Sequence, residues 1–147
     1  MIRVGFTGTR VGLTFRQKVV LKGVLAEFVG KDPEGCEFHH GDCIGADAET
    51  AWLAKGAGYI VVVHPPTDER LRAFAPGDLV LPAEPYLDRN RAIVDVCSTL
   101  IAAPKDPFEQ GRSGTWMTVR YAKRVGRPAI VVFPSGGIDR RPHSGSA

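Results

Sequence analysis

At 147 residues the chain is long enough for one ordinary domain with a buried core. With 44% hydrophobic and 24% charged residues it is neither disordered nor fibrous, and no apolar run approaches the roughly 20 residues that a membrane-spanning helix needs. The net charge of +3 permits a phosphate-bearing partner but does not require one, since a small surface excess of Lys and Arg accounts for it equally well.

In chain order, Ile2–Thr7 is a short apolar run that suits the first strand of an α/β domain. The opening MIRVGFTG lacks the charged-then-apolar pattern of a secretory leader. Gly8, Gly12 and Thr14 break the strand. Thr14–Val29 then follows a helical period, with Val19, Val20, Leu21, Val24, Leu25 and Phe28 largely on one face. Thr14 is the expected N-cap, and Gln17 its capping-box partner. Lys31–Gly35 is a turn, and Cys36–His40 a second strand ended by Gly41-Asp42. Ala46–Lys55 is a helix closed by Gly56 and Gly58, with Trp52 expected in the core. Tyr59–His64 is a third strand, stopped by Pro65-Pro66.

Between Thr67 and Pro85 the signals weaken. Asp68–Phe74 suits a helical turn and Leu79–Leu81 a short strand. Tyr86–Cys97 is a helix, Thr99–Ala103 a fourth main strand, and Lys105–Arg112 a polar loop. Gly114–Val125 is a helix ended by Gly126, and Ala129–Phe133 a fifth main strand. Residues 135–147 contain almost nothing apolar and are expected to be a disordered tail behind a single domain of residues 1–134. The three cysteines (Cys36, Cys43, Cys97) are odd in number with no CxxC spacing, as in reduced thiols of a cytoplasmic protein.

Apolar strands separated by helices predict a Rossmann-like, doubly wound α/β fold. Its sheet should be mostly parallel, with about five main strands and helices on both faces. Ligands of such sheets sit at the carboxyl ends of the strands. The unusual residues fall at those ends. Gly8 allows close backbone approach, Thr9 offers a hydroxyl, and Arg10 is a forked donor suited to phosphate. Gly41, Gly45 and Ala46 lie where a strand turns into a helix, a place that exposes amides to an anion. Ser113, Gly114 and Thr115 repeat that device. Asp42 and Asp47 are candidates for ribose contacts or for acid and base; Asp47 could equally stabilise its own helix. Trp116 suits the core, and with Met117 it is also a candidate wall for a base. His39, His40 and Cys43 look like metal ligands, but alternation puts the two histidines on opposite strand faces, so neither a metal nor a cofactor is expected.

The ordered set Gly8-Thr9-Arg10, HHGDCIGADAETAWLAKGAG (39–58), HPP (64–66), YLDRNRAIVD (86–95), TLIAAP (99–104) and RSGTWMTVRYAKRVGRPAIVVFP (112–134) resembles the SLOG superfamily of Smf/DprA and LOG proteins. The resemblance spans nearly the whole chain and implies a pocket for a nucleotide or nucleotide-derived ligand, such as a nucleoside phosphate or an ADP-ribose-like molecule. It adds Arg89, Asn90 and Thr118 to the site. Thr118 stands where LOG phosphoribohydrolases carry a catalytic Glu, so ligand binding is expected ahead of cleavage of an N-glycosidic bond. Only Asp42 or Asp47 could replace that carboxylate. The pattern SGTxxT lies nearer DprA and implies single-stranded DNA as an alternative partner. Related folds pair through helices beside the pocket, so a homo-oligomer away from membranes is expected.

Overall fold

The computed structural model describes residues 1–141. Its elements, in chain order, are β1 (Ile2–Gly8), α1 (Phe15–Phe28), β2 (Cys36–His40), α2 (Ala46–Gly56), β3 (Ile60–Val63), β4 (Leu79–Val80), α3 (Tyr86–Val96), β5 (Thr99–Ala103), α4 (Gly114–Arg124), β6 (Ala129–Val132) and β7 (Ile138–Arg141). The seven strands form one sheet in the order β4-β3-β2-β1-β5-β6-β7. All neighbours are parallel except β6 and β7. This is the Rossmann-like, mostly parallel architecture with helices on both faces.

Strand alternation builds two cores. Val4, Phe6, Phe38, Val61, Val63, Ile101 and Val132 pack against Leu21, Val24 and Leu25 of α1 and Ala51 and Ala54 of α2. Leu100, Ala102 and Val131 point to the opposite face, where Ile93 and Val94 of α3 meet Trp116, Val119 and Ala122 of α4. Every strand from β1 to β3, and β5 and β6, contributes fully buried residues, and apart from β2, with Glu37, His39 and His40, these segments carry few polar side chains. β1 lies between β2 and β5, so the strand order reverses at its edge. The chain leaving β1 runs to α1 on one face, and the chain leaving β5 runs to α4 on the other. A crevice opens between them.

The expected capping box is present at α1: the Gln17 amide donates to Thr14 Oγ1 at 3.1 Å, and Gln17 Oε1 accepts from the Thr14 amide at 3.0 Å. The same Gln17 is buried, and its Nε2 donates to the carbonyls of Pro104 (2.9 Å) and Val132 (3.0 Å). One side chain therefore fixes the start of α1 to the ends of β5 and β6.

The structure departs from the sequence expectations in three places. Trp52 is 67% exposed, not in the core. The buried stripe of α2 runs through Ala46, Asp47, Thr50, Ala51 and Ala54, and Trp52 lies on the other side. Residues 138–141 of the expected tail form β7, which covers the open edge of β6 in antiparallel pairing. The preceding turn is held to the start of α1 by a bond from Thr14 Oγ1 to the Pro134 carbonyl (2.7 Å), and β7 itself to α1 by the Arg140–Glu27 pair (2.9 Å). The rest of that tail, residues 142–147, lies outside the described residues. Finally, Val19 of α1 is 57% exposed and does not share the buried face of Leu21, Val24 and Leu25. The stretch after β3 holds the expected helical turn, as a 3-10 turn at Glu69–Leu71, and the expected short strand, β4. No helix among the described residues is long and apolar enough to cross a membrane.

Candidate functional site

The loops after β1 and β2, the start of α3 and the start of α4 meet at the carboxyl edge of the sheet around a cleft of about 260 Å³. Gly8, Thr9 and Arg10 line it from the β1 loop, and Gly41 and Asp47 from the β2–α2 connection. Arg89 and Asn90 enter from α3, and Ser113, Gly114, Thr115 and Thr118 from α4. Eleven of the fourteen residues singled out in the sequence thus share one cavity. Asp42, Gly45 and Ala46 do not line it.

Gly45 and Ala46 stitch loops together. The Ala46 amide donates to the Thr9 carbonyl at 3.0 Å, and Thr9 in turn donates to Ala103 of β5 at 3.1 Å. Gly45 has φ +90, and a Cβ there would sit 2.5 Å from the Arg10 carbonyl oxygen. Any other residue would be strained and would push the first loop away.

The amides expected to receive an anion at the β2–α2 turn are occupied by the protein itself. Asp47 Oδ2 accepts from Gly41 N (3.1 Å) and Cys43 N (3.2 Å). Asp47 is 4% exposed, and burial pushes its carboxyl up to about 6, against the opposing pull of the Cys43 amide and the Arg89 guanidinium.

Asp42 has a different task. It is fully buried, in a left-handed conformation (φ 57) that Asp tolerates. Its carboxylate accepts from Arg72 Nε (2.8 Å), Phe74 N (3.1 Å) and Ala75 N (2.9 Å). It clamps the segment after β3 and does not line the cleft. We expect Asp42→Ala to cost about 3 kcal/mol, since buried donors are left without a partner. Limited proteolysis should then cut within residues 70–76, and an unchanged digestion pattern would refute this role.

Arg89 is 2% exposed. Its Nη1 donates to the carbonyls of Gly41 and, at 3.2 Å, His64, while Nε donates to Asn90 Oδ1 at 2.8 Å. Nη2 lies 3.6 Å from Cys43 Sγ. The guanidinium therefore ties α3 to the carboxyl ends of β2 and β3. Gly41 permits this approach: a Cβ there would lie 2.5 Å from Arg89 Nη1.

At α4, Ser113 Oγ accepts from the Trp116 amide at 3.3 Å as an N-cap. The first-turn amides of Gly114 and Thr115 have no intrahelical carbonyl to bond and point toward the positive end of the helix. Thr118 Oγ1 donates back to the Gly114 carbonyl at 2.9 Å. Two cationic residues outside the expected set complete the lining, Lys105 and Arg112. Among the described residues, Arg10, Lys105 and Arg112 make no ion pair. Their position was legible: Lys105 directly follows the proline that ends β5, and Arg112 precedes α4.

A second chamber of about 650 Å³ adjoins the cleft and shares Arg10, Cys43, Tyr86, Arg89, Arg112 and Gly114 with it. Leu71, Pro66 and Met117 give it apolar walls, and Asp68 and Arg70, paired at 2.6 Å, a polar one. Tyr86 stands between the two spaces with its ring 5.0 Å from the Arg89 guanidinium carbon. Met117 therefore reaches a cavity wall, whereas Trp116 is core.

The histidines lie behind the cleft. His39 Nε2 bonds Glu37 Oε1 at 2.9 Å, and His39 Nδ1 meets His64 Nε2 at 2.8 Å. His40 points to the other face, where its Nδ1 accepts from the Asp42 amide at 3.0 Å. Burial lowers the His40 and His64 rings to about 4 and holds His39 below its usual range.

No protein-family model matches this chain, and no curated protein is similar to it in sequence. Solved structures do match it. The structural-genomics target TM1055 superposes with a TM-score of 0.66 at 15% identity, over 93% of this chain and 77% of that one. The molybdenum cofactor binding protein of Rippkaea orientalis gives 0.65 at 19% identity, over 90% and 76%. DNA processing protein A (DprA) of Streptococcus pneumoniae gives 0.65 at 18% identity, over 89% of this chain but only 50% of its own length. At such identities it is the architecture that is shared: this chain has the Rossmann-like fold in common with these three proteins.

Proposed function

We propose that the cleft binds a nucleotide or a nucleotide-derived ligand through its phosphate. The observation that carries this is the charge arrangement. Arg10, Lys105 and Arg112, none of them ion-paired among the described residues, face one cleft together with the free amides at the start of α4. Against them the cleft sets one carboxylate, Asp47. Unpaired guanidinium and ammonium groups beside a helix N-terminus are suited to a phosphate. The larger chamber next door, with Pro66, Leu71 and Met117 on part of its wall, suits the remainder of such a ligand. Two structural neighbours, named for molybdenum cofactor binding and for DNA processing, support a ligand-binding reading.

The test is calorimetric titration with nucleoside 5′-mono- and diphosphates and with pyrophosphate. Arg112→Ala and Lys105→Ala should each weaken binding by about tenfold or more, the scale of one charge-assisted hydrogen bond, and leave the thermal melt unchanged. Absence of binding by every phosphate, or variants that bind like the parent, would refute the proposal. Asp47 favours one second reading, an N-glycosidase, because a buried carboxyl raised to about 6 can exchange protons near neutral pH. Free base released during the titration would establish it.

A further inference from the structure

The placement of Asp47 conflicts with a simple anion site. A carboxylate in a cationic cleft repels the phosphate that the cations attract, and it weakens the site unless the ligand brings something for it to hold. Its two oxygens are used unequally. Oδ2 accepts the amides of Gly41 and Cys43. Oδ1 has no hydrogen-bond partner among the described residues, yet it is not sealed within the protein, and Asp47 lines the cleft. The nearest candidate to satisfy it, Arg89, spends its donors on Gly41, His64, Asn90 and Cys43. Asp47 is 4% exposed, so solvent does not meet the need freely either.

A free carboxylate oxygen accepts, so the ligand must donate. The donor could be an ammonium or a hydroxyl. Arg10, Lys105, Arg112 and Arg89 on the same walls disfavour an ammonium. A hydroxyl is neutral and pairs well with a carboxylate in a partly dry site. A sugar places hydroxyls beside a phosphate within one small unit, and acidic side chains on ribose hydroxyls are a general device of Rossmann-like sites. The cleft of about 260 Å³ takes the sugar phosphate, while the chamber of about 650 Å³ lies open for what the sugar carries.

We propose that Asp47 Oδ1 accepts a hydrogen bond from a ribose hydroxyl of the ligand and makes the cleft selective for ribose phosphates over deoxygenated ones. This rests on the phosphate-binding function proposed above. The backbone bonds of Oδ2 are what make it possible, because they fix the carboxylate so that only one oxygen faces the ligand.

The experiment compares the full chain's affinity for adenosine, guanosine, cytidine and uridine 5′-monophosphates with that for their 2′,3′-dideoxy counterparts, with pyrophosphate alongside. The parent should bind at least one ribonucleotide about tenfold more tightly than its dideoxy form, and Asp47→Asn should shrink that ratio to about threefold or less. Asn keeps an oxygen for the two amides, and the melt of the variant reports whether the loop stays intact. Equal binding of both sugars by the parent overturns the proposal and leaves phosphate binding standing, as does pyrophosphate binding without any nucleotide binding. A ratio that persists in Asp47→Asn also overturns it. Failure of every phosphate to bind overturns both proposals.

Discussion

Arg89→Ala should lower the stability of the domain by about 3–5 kcal/mol, a loss on the scale of large truncations and stranded buried polar groups. The guanidinium is 2% exposed and satisfies the carbonyls of Gly41 and His64. Truncation strands both acceptors where water reaches them poorly, and it empties the volume that Gly41 was kept small to admit. It also detaches the start of α3 from the ends of β2 and β3. For a chain of this length the melting temperature should fall by roughly 10 °C. Arg89→Lys should recover only part of this, because one ammonium cannot reproduce a planar fork that bridges two strands and Asn90. Urea unfolding at neutral pH measures both. A melt within a degree of the parent would show that Arg89 holds nothing together and would return it to the role of a free phosphate ligand. The contrast with Lys105→Ala and Arg112→Ala matters here: those exposed cations should lose affinity at constant stability, whereas Arg89→Ala loses the site by loosening it.

The fold was legible because burial on both faces makes β3, β5 and β6 almost wholly apolar, and because glycine and proline mark the strand ends. The convergence of the β1, β2 and α4 loops followed from parallel topology alone. What each polar residue does there depends on partners far away in sequence, and no local pattern reveals them. Arg89 looks like a phosphate ligand until its donors are found on the Gly41 and His64 carbonyls. Asp42 looks like an acid or base until Arg72, Phe74 and Ala75 are found around it. Trp52 misled because size suggests burial, but the buried stripe of α2 runs through Ala46, Asp47, Thr50, Ala51 and Ala54, and Trp52 lies off it. β7 was missed because IDRR has neither length nor apolar character; it exists to finish an edge. At the turn into α2 the amides of Gly41 and Cys43 are taken by Asp47 and that of Ala46 by the Thr9 carbonyl, partners that no local pattern shows.

The second large effect is the loss of stability between pH 6.5 and about 4. His40 and His64 are held neutral by burial, with His39 and Arg89 adding repulsion, and both rings are lowered to about 4 from 6.5. The unfolded chain therefore takes up protons in this interval and the folded one does not. Stability is complete above pH 6.5, falls as the pH drops through the interval, and levels below about 4, by about 3 kcal/mol for each ring. His39 shifts in the same direction. Asp47 acts in the opposite sense. Its folded carboxyl is raised to about 6 from 3.8, so the folded state is the one that gains a proton as the pH falls, and the cost of its buried charge, about 3 kcal/mol, is relieved. The parent should thus lose about 3 kcal/mol across the interval, because one rising contribution offsets one of two falling ones. Asp47→Asn removes the offset, and its loss should be about 6 kcal/mol. Urea unfolding of both proteins at several values between pH 7 and 4.5 decides the matter. A flat profile in the parent would mean that the histidines take up protons in the folded state. Identical slopes in the two proteins would mean that Asp47 titrates in its ordinary range and carries its charge without penalty. That second outcome would also weaken the N-glycosidase reading, which needs an Asp47 proton near neutrality, while leaving its Oδ1 free to hold a ribose hydroxyl.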